Sequence, residues 1–326
     1  MANQTQTIKI AAIQACPVYM DLEASVDKAC TLIAEVGLAG AKLAVFPEAF
    51  IPGYPAWVWF VPPGQTHPLR EIYSELQRNS LSLPDSATEK LCLTAKKAGV
   101  TVAIGINEKN SETSSTTLYN TLLYIGSDGN VLGKHRKLIP TAGERLVWGQ
   151  GDGSDLAVYD TPCGKIGGLI CWENYMPLAR YAMYAWGTQI YVAPTWDRGE
   201  PWTSSMRHIA KEGRCFVVGC CQAVHINDIP DRLAVKEKYL SGVEGWLNPG
   251  GSLIVDPDGK IVAGPANEEE TILYAEIEPD QLIGPKWQLD SVGHYARPDI
   301  FKLTVNLTPK PLIEEARETS PQLELP

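Results

Sequence analysis

Short apolar runs that stop abruptly at a polar residue recur along the chain, and helix-period patterns separate them. Residues 7–14 (TIKIAAIQ) predict a first strand, and 21–40 an amphipathic helix with Leu22, Val26, Ala29, Leu32, Ile33 and Val36 on one face. Residues 42–46 predict a second, buried strand that ends at Pro47-Glu48. Two helical patterns fill 68–98, the second running from Ser86 as N-cap to Gly99 as the C-terminal stop. Residues 100–107 and 118–126 predict strands around the polar Ser/Thr-rich loop 111–117, and Asp128-Gly129 turns the chain into VLGKHRKLI as a hairpin.

Residues 161–175 (TPCGKIGGLICWENY) read as a turn, a short buried strand and a polar turn that opens with Cys171. A helix over 177–187, a strand over 189–195, a helix over 201–213 and a strand over 215–224 follow. The alternation from about 42 to 224 predicts a layered α/β fold with helices covering a central sheet. A hairpin around Pro257-Asp258-Gly259 over 251–262 and a strand over 271–278 complete the pattern. No linker or repeat divides the chain, so one domain is expected over 1–310, followed by a short Pro- and Glu-rich tail, 311–326, expected to be disordered.

Composition narrows the classes. A chain of 326 residues with 44% hydrophobic content is long enough for a substantial core. The net charge of -10, without a long basic run, argues against a nucleic-acid partner. The N-terminus lacks an export pattern and no segment approaches the ~18 apolar residues of a membrane span, so a soluble, cytoplasmic protein is expected. The eight cysteines form no CxxC pair and read as free thiols.

Three strand ends carry the candidate chemistry. Taken singly, each has an ordinary explanation: a buried cysteine acts as a small hydrophobe, Glu48 fits a solvated loop, and the basic run from Lys134 to Lys137 fits a solvated face. Lys137, however, enters the apolar segment Leu138-Ile139-Pro140 and is followed by Glu144 and Arg145. His135 competes for the role of base, but cationic neighbours disfavour a proton acceptor there. Glu48, Lys137 and Cys171 together make a coherent nucleophilic site, in which a carboxylate takes the thiol proton and an ammonium stabilises negative charge on the attacked group. The rigid tract FIPGYPAWVWF suits a pocket wall, a subunit interface or a core anchor.

The blocks FPEAFIPGYP, HRKLIPTAGER and GGLICWENYMPLARY resemble the three blocks of the nitrilase family within the carbon-nitrogen hydrolase superfamily, and the similarity runs over roughly 7–303. The resemblance implies a four-layer αββα sandwich extended by dimerisation, and hence a homo-oligomer. It also implies Glu48 as general base, Lys137 as cationic stabiliser, Cys171 as nucleophile and Glu144 as the second, orienting glutamate. CWEN, WVWF and GHYARPDIF are closer to true nitrilases than to aliphatic amidases or carbamoylases. The implied reaction takes a small nitrile and water to a carboxylic acid and ammonia through a thioimidate and a thioester.

Trp172, Tyr54, Trp57, Thr141, Trp196 and Met206 are expected to line a cavity suited to aryl or arylaliphatic nitriles, and His294 to make a structural hydrogen bond. The alternatives are an amidase or a cyanide- or nitrile-hydrating enzyme giving an amide, and a non-catalytic scaffold. The last is disfavoured because acid, lysine and thiol are all retained. No metal is expected, since the histidines lack ligand spacing, and no nucleotide cofactor, since the glycines form neither GxGxxG nor a Walker loop.

Overall fold

A computed structural model of the protein describes residues 7–311 and 313, so the expected tail at 311–326 lies almost wholly outside the described residues. The backbone forms two sheets. In the first the order is Thr271–Ile277, Ile8–Gln14, Leu43–Val45, Thr101–Lys109, Leu118–Ile125 and Val131–Arg136. In the second it is Ala223–His225, Trp246–Val255, Phe216–Cys221, Ile190–Thr195, Gly164–Gly168 and Tyr159–Thr161, with Ile261–Asn267 also paired to Trp246–Val255. Each sheet holds three adjacent parallel strands with antiparallel strands on either side. Parallel strands need crossover connections, and here helices supply most of them on the outer faces.

The inner faces of the sheets meet in a seam where Ile10, Val45, Leu122 and Tyr124 pack with Ile166, Val192, Phe216 and Ile254. Cys220 donates its thiol across this seam to the carbonyls of Ile13 (3.1 Å) and Val45 (3.2 Å). The helices Leu22–Leu38 and Ser86–Ala98 cover the outer face of the first sheet through Val26, Ala29, Ile33, Leu91 and Ala95. Pro177–Ala185 and Glu200–Gly213 cover the second through Met183, Trp202, Met206 and Ile209. The layers run helix, sheet, sheet, helix, which is the four-layer αββα sandwich.

Among the boundaries that differ from the pattern reading are a helix cap and a divided strand. Asp85, not Ser86, caps the helix, because its carboxylate accepts from the Thr88 N–H at 2.8 Å; Gly99, left-handed at φ +64°, ends it as expected. The single strand expected over 215–224 is two, Phe216–Cys221 and Ala223–His225. Gln222 at the break sends its side-chain amide to the Glu48 carbonyl, 2.7 Å away.

Candidate active site

Glu48, Lys137 and Cys171 each follow a strand end, Glu144 sits on a short 3₁₀ turn, and the local backbone is bent around them. Leu43–Val45 leads into Glu48, and Ala49 just beyond has φ +49°. Gly105 makes room for this turn: a Cβ there would overlap the Pro47 carbonyl and the Ala49 nitrogen. Cys171 opens a 3₁₀ turn, Cys171–Tyr175, with φ +53°, and a Cβ on Gly168 would overlap the Val192 carbonyl. Ala142, at φ +42°, opens the turn that carries Glu144. Left-handed backbone costs a non-glycine residue about 1–2 kcal/mol, so three such positions around one site represent strain held by the surrounding packing.

Glu48, Lys137 and Glu144 are each 1% exposed and form one cluster. Lys137 Nζ donates to Glu48 Oε1 at 2.7 Å and to Glu144 Oε2 at 2.8 Å. An ammonium has three donors, so one remains. Asn120 Nδ2 also donates to Glu48 Oε1, at 2.7 Å, whereas Glu48 Oε2 has no hydrogen-bond partner among the described residues. Glu144 has both oxygens engaged: Oε1 accepts from the Tyr54 hydroxyl (2.7 Å), and Oε2 accepts from the Thr141 N–H (2.7 Å) as well as from Lys137. Glu144 is thus built to hold its neighbours in place, and Glu48 keeps an oxygen free for a proton.

Burial raises the Glu48 pKa to about 7; Lys137 opposes the rise and Glu144 adds to it. Burial also pushes the Cys171 thiol well above its usual range, reinforced by Glu48 and opposed by Lys137, with the Thr195 hydroxyl in hydrogen-bonding reach. Burial alone would lower the Lys137 pKa, but Glu48, Cys171 and Glu144 together raise it. The resting pair is therefore a neutral thiol beside a carboxylate that titrates near neutrality, where general bases are most effective. The rate of Cys171 alkylation by iodoacetamide should rise with pH through about 7 as Glu48 loses its proton. Because the Glu144 charge raises the Glu48 pKa, Glu144→Gln should move that limb to lower pH; stopped-time alkylation across pH 5 to 9 checks the sign (the range is about two units either side).

A third buried carboxylate braces the arms of this cluster. Glu173, two residues after Cys171 and 2% exposed, accepts from the Ile170 N–H (2.7 Å) just before the cysteine and from the Leu138 N–H (2.7 Å) just after Lys137. His135 Nε2 lies 2.9 Å from its Oε2, and since a carboxylate only accepts, that nitrogen carries the proton. Although burial raises the Glu173 pKa, His135 and the backbone donors outweigh it and hold the group ionised. Glu173→Gln turns an acceptor into a partial donor facing N–H groups. It should cut kcat by about 10- to 100-fold with KM little changed, as misplacement of reacting groups does, and lower Tm by several degrees; kinetics with thermal melts test both.

Above the cluster lies a cavity of about 360 Å³. Tyr54, Thr141, Glu144, Cys171, Trp172 and Trp196 line it, as do Trp59, Phe60, Ala142, Asp197, Arg198 and Leu247. Tyr54 and Trp196 stack at 4.3 Å, nearly parallel at 6°. The expected Trp57 is not a wall of this cavity: it is 3% exposed, buried in the apolar cluster that also holds the cavity residues Tyr54 and Leu247, and its neighbours Trp59 and Phe60 face the opening instead. Met206 is likewise part of the helix-covered core. His294 is exposed, with an edge-on contact to Tyr295 and no hydrogen bond among the described residues, so its expected structural bond is absent there. A wider groove of about 660 Å³ between Thr66–Arg78 and Ala234–Leu240 contains none of the clustered groups.

Asn120, Glu173 and Gln222 were not singled out from sequence. Each is a polar residue in or beside an apolar strand segment, which was the available signal.

The sandwich, with an acid, a lysine and a thiol gathered at its strand ends, defines a class. Residues 9–284 match the carbon-nitrogen hydrolase family, and the chain belongs to that family. A member of branch 10 of the nitrilase superfamily from Saccharomyces cerevisiae shares the fold at TM-score 0.70 and 23% identity, over 90% of this chain and 99% of its own. Within the family the chain falls in the nitrilase branch. It is 45% identical to an aliphatic nitrilase of Sinorhizobium fredii over 93% of this chain and 96% of that one. It is 43% identical to a bifunctional nitrilase/nitrile hydratase of Nicotiana tabacum over 93% of this chain and 87% of that one.

Proposed function

We infer that the protein is a nitrilase that converts an organic nitrile and two waters to a carboxylic acid and ammonia, with Cys171 as nucleophile. The observation that carries this reading is the division of hydrogen bonds in the buried cluster. Glu48 has one oxygen unengaged and Lys137 one N–H, while both oxygens of Glu144 are engaged.

Glu48 takes the thiol proton as sulfur adds to the nitrile carbon and passes it to the nitrogen, giving a thioimidate and restoring the carboxylate. The remaining Lys137 N–H and the backbone N–H of Trp172 stabilise negative charge on that nitrogen during attack. A water, deprotonated by Glu48, adds to the carbon, and the tetrahedral intermediate collapses with loss of ammonia, leaving a thioester. A second water, activated in the same way, releases the acid and returns the thiol. If the first tetrahedral intermediate expelled sulfur instead, the product would be the amide.

A panel of aliphatic, aryl and arylacetonitriles, with acid, ammonia and amide all quantified, tests the reading. Acid and ammonia in equal amounts are expected; amide as the sole product overturns it. The proposal extends to a cytoplasmic homo-oligomer. Exposed Leu178, Trp287, Tyr295 and Phe301 support a contact with a second copy. Among the described residues no helix is long and apolar enough to cross a membrane.

A further inference from the structure

Among the described residues three charged side chains line the cavity, and the reaction at Cys171 accounts for only one of them. Glu144 belongs to the buried cluster. Asp197 is taken up by structure: its Oδ2 accepts from Trp172 Nε1 (2.9 Å) and from the Tyr175 hydroxyl (3.1 Å), and its Oδ1 accepts from the Arg198 N–H (2.8 Å). The third, Arg198, is exposed, and its guanidinium has no hydrogen bond, ion pair or ring contact among the described residues. That is uncommon in this molecule. Every other described arginine except Arg70 donates to a carboxylate or a carbonyl.

The backbone that carries Arg198 is pinned at the cavity. Asn248 Nδ2 donates to the Trp196 carbonyl at 2.8 Å, and the Asp197 N–H donates to Thr195 Oγ1 at 2.7 Å. Gly199, at φ +84°, then turns the chain into the helix Glu200–Gly213. An unpaired planar cation is therefore held beside an opening whose other walls are mainly aromatic. A guanidinium matches a carboxylate in bidentate geometry, and the oxygens of the adjacent Asp197 are already engaged by other donors and form no ion pair with the guanidinium.

We propose that Arg198 binds a carboxylate at the end of the substrate remote from the nitrile, so that the preferred substrates are cyanocarboxylates with an apolar aliphatic or aryl spacer. The spacer lies against the stacked Tyr54 and Trp196 while the nitrile reaches Cys171. This assignment rests on the nitrilase reading and adds the substrate class to it. The bland explanation of an exposed arginine is simple solvation, under which removing its charge would not discriminate between substrates.

The test compares 4-(cyanomethyl)benzoate with its methyl ester, and 5-cyanopentanoate with its methyl ester, by ammonia release. The unmodified protein should prefer each carboxylate over its ester by about tenfold in kcat/KM, in line with one exposed charge-assisted pair, and added salt should shrink the preference. Arg198→Gln should bring the carboxylate-to-ester ratio to about one, mainly through KM, and Arg198→Lys should keep part of it. Arg70→Gln, which removes the other arginine without a side-chain partner among the described residues, one that lines the wider groove rather than this cavity, should leave the ratio intact. Equal rates for carboxylate and ester in the unmodified protein, or a preference that survives Arg198→Gln, overturns the Arg198 assignment and leaves the nitrilase reading standing. Absence of ammonia from all four nitriles and from the wider panel overturns both.

Discussion

Cys171→Ala abolishes nitrile turnover: kcat falls by roughly 10⁴-fold or more, to the level set by binding and uncatalysed attack. The expectation follows from the position of the thiol. Cys171 is held at φ +53° at a strand end, at the foot of the cavity and in the field of Glu48 and Lys137. None of the other seven cysteines lines that cavity. The substitution removes one sulfur from a site that is otherwise braced by Glu173 and Asn174, so Tm should stay within a few degrees. Ammonia assays beside thermal melts separate lost chemistry from lost fold.

Glu48→Gln should cost about 10³-fold in kcat/KM, within the range for removal of a positioned general base. Glutamine keeps an oxygen for Lys137 and Asn120, which both meet Oε1, but it cannot take a proton from Cys171. The loss should appear in kcat more than in KM, because proton transfer occurs on the way to the transition state and not in binding. The same variant should lose the rise in Cys171 alkylation through about pH 7, since that limb belongs to Glu48. If the limb persisted at its original position, another group would be the base, and His135 paired with Glu173 would be the first to examine.

The layering and the strand ends were legible because buried parallel strands write themselves as short apolar runs, and a charged residue that closes such a run is conspicuous. Glu48 closes a run of this kind and Cys171 follows one, whereas Lys137 follows the antiparallel strand Val131–Arg136 and stands out by entering Leu138-Ile139-Pro140; the three family-like blocks around them reinforce the reading. Which aromatic residues face the cavity was less accessible. Ala56–Trp59 is a 3₁₀ turn, so neither helical nor strand periodicity says that Trp57 points into the core while Trp59 and Phe60 face the opening. The role of Glu173 was hidden for another reason. It stands two residues from Cys171, but its partners Ile170 and Leu138 come from two segments that only the folded chain joins. Gln222 lies between two strands, and its side chain meets the Glu48 carbonyl from the opposite sheet, again a tertiary fact.

The central claim, covalent attack on a nitrile by Cys171, is tested most directly under single-turnover conditions with protein in excess over a nitrile. Samples quenched in acid are divided, one part for ammonia and carboxylic acid and one for peptide mass spectrometry. Ammonia released ahead of the acid should be matched by an acyl group on the peptide that carries Cys171, and that group should disappear as the acid forms. An acyl group on a different residue, or undiminished ammonia release from protein whose Cys171 has been fully alkylated, would contradict the account.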